Sequence, residues 1–116
     1  MNIEELREYC LSMKGTTESF PFDDATLVLK VEGKMFAIIP LNTVDTSISL
    51  KCDPELAISL REQYEAVVPG YHLSKKHWNT VYIDGRLTNN LIHEWINHSY
   101  NLVIAGLPSK IRQQFM

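Results

Sequence analysis

The stretch Thr26-Leu27-Val28-Leu29-Lys30-Val31-Glu32-Gly33-Lys34-Met35-Phe36-Ala37-Ile38-Ile39 decides the fold class. Two β-rich runs, Thr26 to Val31 and Lys34 to Ile39, flank Glu32-Gly33, which reads as a hairpin turn. Strands joined by so short a turn are antiparallel. A third run, Thr46 to Cys52, alternates, with Ile48, Leu50 and Cys52 on one face and Ser47, Ser49 and Lys51 on the other, and so predicts a half-buried strand.

Working outward, Asp53-Pro54 is a helix start, because Asp accepts from first-turn amides and Pro at the first helical position loses no hydrogen bond. Leu56, Ala57, Leu60 and Tyr64 supply that helix's buried face. Short extended pieces follow at Val67-Val68 and Tyr71 to Leu73, around Pro69-Gly70, and another strand at Thr80 to Ile83 ends at Asp84-Gly85. Upstream, Asn2 and Glu5 have capping-box spacing, and Ile3, Leu6, Cys10 and Met13 recur at helical period, predicting a helix over 2 to 14 closed by Gly15. Downstream, Thr88 caps the longest helix, running to about Ala105 with Ile92, Trp95, Ile96 and Val103 inward and Gly106 and Pro108 stopping it. Leu107, Ile111 and Phe115 predict a last short helical turn. The expectation is a single α+β domain over 1–116, in the order α-β-β-β-α-β-β-α, with an antiparallel β-sheet covered on one face by helices.

Composition places the chain among globular proteins: 45% hydrophobic and 22% charged residues in 116 are far from the disordered regime. No signal-peptide-like start and no run of ~20 apolar residues is present, which predicts a cytoplasmic protein with no membrane partner. Cys10 and Cys52 form no CxxC pair, so they read as reduced, partly buried thiols. The net charge of −3 argues against a generally polyanion-coated protein. It hides an asymmetry, since residues 1–70 carry six Lys/Arg against twelve Asp/Glu while 71–116 carry five against two, together with all four His.

No GxSxG, HExxH, P-loop or GxGxxG motif occurs, so no catalytic residue and no cofactor are expected. His93 and His98 are five apart on one helix, ~140° around its axis, and cannot chelate together. Glu94 and His98 have the right spacing but lack a third ligand. Glu4 and Glu8 share a face of the first helix, where a solvated acidic surface explains them without a metal.

The most unusual segment is Gly70-Tyr71-His72-Leu73-Ser74-Lys75-Lys76-His77-Trp78-Asn79-Thr80, which gathers cations, imidazoles, aromatics and an amide, the mixture that phosphate and base contacts use. A purely structural reading also fits: Tyr71 and Trp78 as hairpin anchors, Asn79 as a turn former, and Lys75-Lys76 as a charged tip protecting a sheet edge. Here the sequence resembles the MmcQ/YjbR family of small bacterial proteins. The resemblance runs through Phe20-Pro21-Phe22, Gly33-Lys34-Met35-Phe36, Lys51-Cys52-Asp53-Pro54, Gly70-Tyr71-His72, Lys76-His77-Trp78-Asn79-Thr80 and Ala105-Gly106-Leu107-Pro108. Leu73-Ser74 stands where that family carries Met-Asn.

The resemblance implies a CyaY-like (frataxin-like), double-wing fold and the label of a DNA-binding protein, without catalytic residues. The leading expectation is thus a small non-enzymatic DNA-binding domain, regulatory in one version. Lys75, Lys76 and His77 form a basic wing on phosphates, Trp78 holds its base, and Asn79 contacts a base or completes the turn. Tyr71 and His72 are carried over with the family motif, and Lys51, Lys110 and Arg112 are further phosphate contacts. Two alternatives belong to other classes: a metal-binding protein using the acidic first helix, and a protein or small-ligand interaction module with its pocket beside His72, His77 and Trp78.

Overall fold

The computed structural model describes residues 1–70 and 73–116. Tyr71 and His72, and with them most of the extended piece expected at Tyr71 to Leu73, lie outside the described residues. The elements are α1 (Ile3–Leu11), β1 (Thr16–Ser19), β2 (Thr26–Val31), β3 (Lys34–Pro40), β4 (Ser47–Lys51), α2 (Pro54–Gln63), β5 (Val67–Pro69), β6 (Trp78–Tyr82), α3 (Asn89–Ala105) and α4 (Ser109–Arg112), followed by a 3-10 turn over Gln113–Phe115. Among the described residues, six strands form one antiparallel sheet in the order β1-β2-β3-β4-β6-β5.

The expected element order needs one correction, because four strands rather than three precede α2. The added one, β1, reads Thr-Thr-Glu-Ser and carries no apolar alternation. Its pairing with β2, from Thr16 opposite Val31 to Ser19 opposite Val28, forms it. An ion pair helps hold it: Arg7 of α1 donates to both carboxylate oxygens of Glu18, keeping that carboxyl below its usual range.

Local chemistry accounts for most of the other boundaries. Asn2 Oδ1 accepts from the Glu5 amide at 2.8 Å and Glu5 Oε1 from the Asn2 amide at 3.0 Å, which is the capping box. That helix ends at Leu11, short of the expected residue 14, with Ser12 as its C-cap. The β2–β3 turn places Glu32 at φ 51° and Gly33 at φ 74°, the paired left-handed conformation whose twist suits a two-residue hairpin. Asp53 and Thr88 cap α2 and α3 through their side chains.

The sheet separates two apolar clusters. On one face Leu27, Leu29, Val31, Ala37, Ile39, Ile48, Leu50 and Val81 meet Leu6 and Cys10 of α1, Ala57 and Leu60 of α2, and Ile92, Trp95, Ile96 and Val103 of α3. The second cluster is Val28, Ile38 and Trp78, joined by Met35 and Leu73, and contains no helical residue. Helices therefore cover one face of the sheet.

A bulge opposite Leu29 and Lys30 puts Phe36 out of the β2–β3 register. Phe36 and Ala37 both join the helix-side cluster as a result. One step beyond the Ala37–Leu50 pair of the β3–β4 ladder, the fully buried Ser99 of α3 links the two strands. Its hydroxyl donates to the Phe36 carbonyl at 2.5 Å and accepts from the Lys51 amide at 2.9 Å. A side chain thus supplies partners that the backbone must have when it is buried.

Candidate functional site: a cleft over the helix-free face of the sheet

Registers define the helix-free face row by row. One row takes a residue from each strand: Ser19, Val28, Ile38, Ser49, Thr80 and Val68. Two residues further along β2, β3, β4 and β6 stand Thr26 opposite Pro40 and Ser47 opposite Tyr82. In the other direction lie Thr17, Lys30 and Met35, with Lys51 opposite Trp78.

Over the middle of this face lies a cleft of about 650 Å³. Its floor is Thr26, Ile38, Pro40, Ser47, Ser49, Thr80 and Tyr82, and its walls are Phe22, then Thr43, Val44 and Asp45, then Leu73. Three connections build the walls: β1 to β2, β3 to β4, and β5 to β6. The first two are tied together by the Leu41 amide, which donates to the Ala25 carbonyl at 2.8 Å. Within the first, Asp23 accepts from the Ala25 amide at 2.9 Å, and this bond, with one from Thr26, holds its carboxyl below the usual range. Thr43 Oγ1 donates to the Asp45 carbonyl at 2.8 Å, shaping the second. These walls carry large exposed apolar side chains, Phe22 at 62% and Val44 fully open.

The cleft corrects the reading of β4 as a half-buried strand. Ser47 and Ser49 were expected to face solvent, yet they are 7% and 8% exposed. Ser49 Oγ and Thr80 Oγ1 lie 2.8 Å apart in a mutual hydrogen bond.

The expected basic wing is the β5–β6 connection. Lys75, Lys76 and His77 are exposed there, while the backbone is firmly held. The Ser74 carbonyl accepts from the His77 and Trp78 amides, Cys52 N–H donates to the His77 carbonyl at 2.7 Å, and Gly70 N–H donates to the Trp78 carbonyl at 2.9 Å. Gly70 runs so close to β6 that a Cβ on it would lie 2.8 Å from Trp78 Cβ. The guanidinium of Arg61, at the end of α2, donates to the Lys75 carbonyl, to the Trp78 carbonyl at 3.3 Å and to Asn79 Oδ1 at 2.6 Å.

Asn79 is 2% exposed and also donates to the Ala57 carbonyl at 3.3 Å. Its carboxamide locks α2 to β6 and is turned away from any external base. Trp78 is buried against Val28 and Ile38, the anchor role expected of it. Lys51 is half-buried opposite Trp78. Lys110 and Arg112 lie elsewhere: the segment after α3 is tied to the start of β1, where Lys14 Nζ donates to the Gln114 carbonyl and sits 5.7 Å from the Phe115 ring centroid. That is the opposite sheet edge from Lys75, Lys76 and His77. Tyr71 and His72 are outside the described residues. Arg61, Phe22, Val44, Asp45, Ser49 and Tyr82 were not anticipated as site residues, although the serines of β4 and Phe20-Pro21-Phe22 were both visible.

Model matching assigns residues 11–102 to the family described as YjbR. The chain belongs to the YjbR family. Among similar chains, the Escherichia coli protein YjbR is 38% identical over 113 residues, covering 97% of this chain and 96% of its own. The protein YbdF of the same species is 32% identical, covering 92% and 88%. A solved structure of the Deinococcus radiodurans protein DR2400 matches with a TM-score of 0.92 at 38% identity, over 98% of this chain and 87% of that one. A Pseudomonas syringae protein matches at 0.77 with 28% identity, over 88% and 98%.

The other reactive groups of this YjbR-family chain are occupied or buried. His98 Nε2 accepts from the Asp53 amide at 3.2 Å, and His93 stacks on Tyr9 at 3.9 Å. Among the described residues no three His, Cys, Asp or Glu side chains converge, and no helix is long and apolar enough to cross a membrane. Burial pushes the Cys10 thiol up to about 12, and burial with the charge of Asp53 pushes Cys52 up to about 11. At pH 8 the thiolate fraction of Cys10 is therefore on the order of 10⁻⁴. Native protein should react with a disulfide dye far more slowly than protein in denaturant, where both thiols should titrate. Rapid native labelling would contradict the burial.

Proposed function

We propose that this YjbR-family chain is a non-enzymatic binding protein whose ligand occupies the cleft over the helix-free face of the sheet. The observation that carries this is the cleft itself. Its volume, about 650 Å³, lies within the roughly 300–1,000 Å³ of small-molecule sites, and its lining has their mixture of apolar walls and a few convergent polar groups. Phe22 and Val44 are exposed on its walls, giving a ligand apolar surface to cover. Ser49 and Thr80 engage one another, offering hydrogen bonds to a ligand, whereas nucleophilic catalysis asks for a base beside the hydroxyl. The fold label accompanies this reading as a proposal: helices confined to one face of an antiparallel sheet support a CyaY-like arrangement, and reduced, buried thiols suit the cytoplasm.

Amide NMR titration with a set of uncharged apolar fragments tests the cleft. Expected shifts map to Ile38, Ser47, Ser49, Thr80 and Tyr82. Shifts confined to the helix side, or none at millimolar fragment, would remove the reading.

Duplex DNA binding stays as a second reading because Lys75, Lys76 and His77 are exposed together on a pinned connection. The distance of Lys110 and Arg112 from them, and the buried carboxamide of Asn79, weigh against it. If Lys75 and Lys76 contact phosphates, the Lys75→Ala/Lys76→Ala variant should lower the log-log salt slope of duplex affinity by about 2. Stability should stay within roughly 0.5 kcal/mol of wild type. A wild type that binds no duplex at low salt would end this reading.

A further inference from the structure

We infer that the cleft takes a small organic cation, an alkyl- or arylammonium whose charge is met by Asp45 and by the rings of Phe22 and Tyr82 while its apolar body lies on Ile38 and Val44. The inference rests on the reading of this cleft as a ligand site and adds the chemical class of the ligand.

Charge selects the class. Among the described residues lining the cleft, Asp45 is the one acidic side chain and none is Lys, Arg or His; Asp23 and Asp24 follow the lining residue Phe22 in the chain without lining the cleft themselves. Asp23 keeps its charge, since two hydrogen bonds lower its affinity for a proton. Lys75 and Lys76 belong to the same connection as Leu73, but of these three only Leu73 lines the cleft. An anionic ligand would meet the Asp45 carboxylate here, with no described lining cation to offset it, at a cost that grows as the apolar walls exclude water.

The rest of the lining fits an ammonium as well. An aromatic ring attracts a cation through its quadrupole, most strongly where the cation has shed water, and rings grouped with a carboxylate form the usual receptor for alkylated amines. Phe22 and Tyr82 reach the cleft from a wall and from the floor, with Asp45 beside Val44 on the second wall. Below them, the hydroxyls of Ser47 and Ser49 provide acceptors for N–H donors. The volume exceeds what a single lysine side chain would fill, which favours a free molecule over a side chain of a protein partner.

Three probes that share a naphthyl body test the class: naphthylethylamine, naphthylethanol and naphthylacetate, titrated by amide NMR into wild type and into Asp45→Asn. The amine should bind roughly three- to tenfold tighter than the alcohol, from the exposed carboxylate and the ring faces together, with the acetate weakest. Added salt should narrow the gap. In Asp45→Asn, whose spectrum should otherwise match wild type, the amine should lose most of its advantage, keeping only the part that the ring faces of Phe22 and Tyr82 supply, while the alcohol is unchanged. Equal binding of all three probes, tighter binding of the acetate, or a preference for the amine left undiminished by Asp45→Asn would overturn the cation assignment and leave the cleft. Failure of all three to shift any cleft resonance would remove the cleft reading and the assignment with it.

Discussion

Replacing Trp95 by Ala should lower the unfolding free energy by about 3–5 kcal/mol, the range for deleting a large aromatic from a packed core. Trp95 is 6% exposed and meets Tyr64 edge to face, with ring centroids 5.3 Å apart. It fills the space between α3, the end of α2 and the sheet, which no neighbour can refill without moving an element. Because domains of this size have about 5–15 kcal/mol in total, the variant should fold but melt much earlier. Ile58→Ala, at a 55% exposed position on α2, serves as the control and should change stability by no more than roughly 0.5 kcal/mol. Denaturant unfolding of both variants measures this. A loss below about 1 kcal/mol for Trp95→Ala would mean that α3 does not pack as described.

The second large effect is expected at Ser99. Ser99→Ala leaves the Phe36 carbonyl and the Lys51 amide, both now bonded to its hydroxyl, without that partner. An orphaned buried polar group costs about 1–3 kcal/mol. With two groups affected, the total should lie toward the upper end of that range. The position of the loss is more diagnostic than its size: hydrogen exchange at the Lys51 amide should accelerate beyond the global change, whereas Ile48, in the same strand, should follow global stability. Unchanged Lys51 exchange would show that the β3–β4 contact does not depend on the α3 hydroxyl.

These two residues also separate what the sequence disclosed from what it withheld. Trp95 was legible because the spacing of Ile92, Trp95, Ile96 and Val103 repeats the helical period, and all four are buried. The β2–β3 hairpin was legible because Glu32-Gly33 accepts the left-handed backbone that the turn requires. Ser99 falls on the same stripe, three residues after Ile96 and four before Val103, but the role of its hydroxyl was not legible, since it depends on a bulge in a strand 63 residues away. The polar β1 was missed for a related reason, as only pairing with β2 makes it a strand.

The candidate site divides in the same way. Lys75, Lys76 and His77 were found as a local cluster in one loop and are exposed there. Lys110 and Arg112 were added on charge alone, and the fold carries them to the other sheet edge. The cleft was illegible because its residues come from three connections and four strands. Its trace in the sequence was the pair of small hydroxyl residues, Ser47 and Ser49, on what looked like the solvent side of β4.

The most direct measurement of the binding claim is the set of intermolecular NOEs between the ring protons of naphthylethylamine and the protein's methyl groups at saturating probe. The account predicts NOEs to Ile38 and Val44, which line the cleft, and none to Leu6 or Ile96, which are fully buried on the helix side. NOEs only to side chains outside the cleft, or none from a probe shown to be bound, would contradict it.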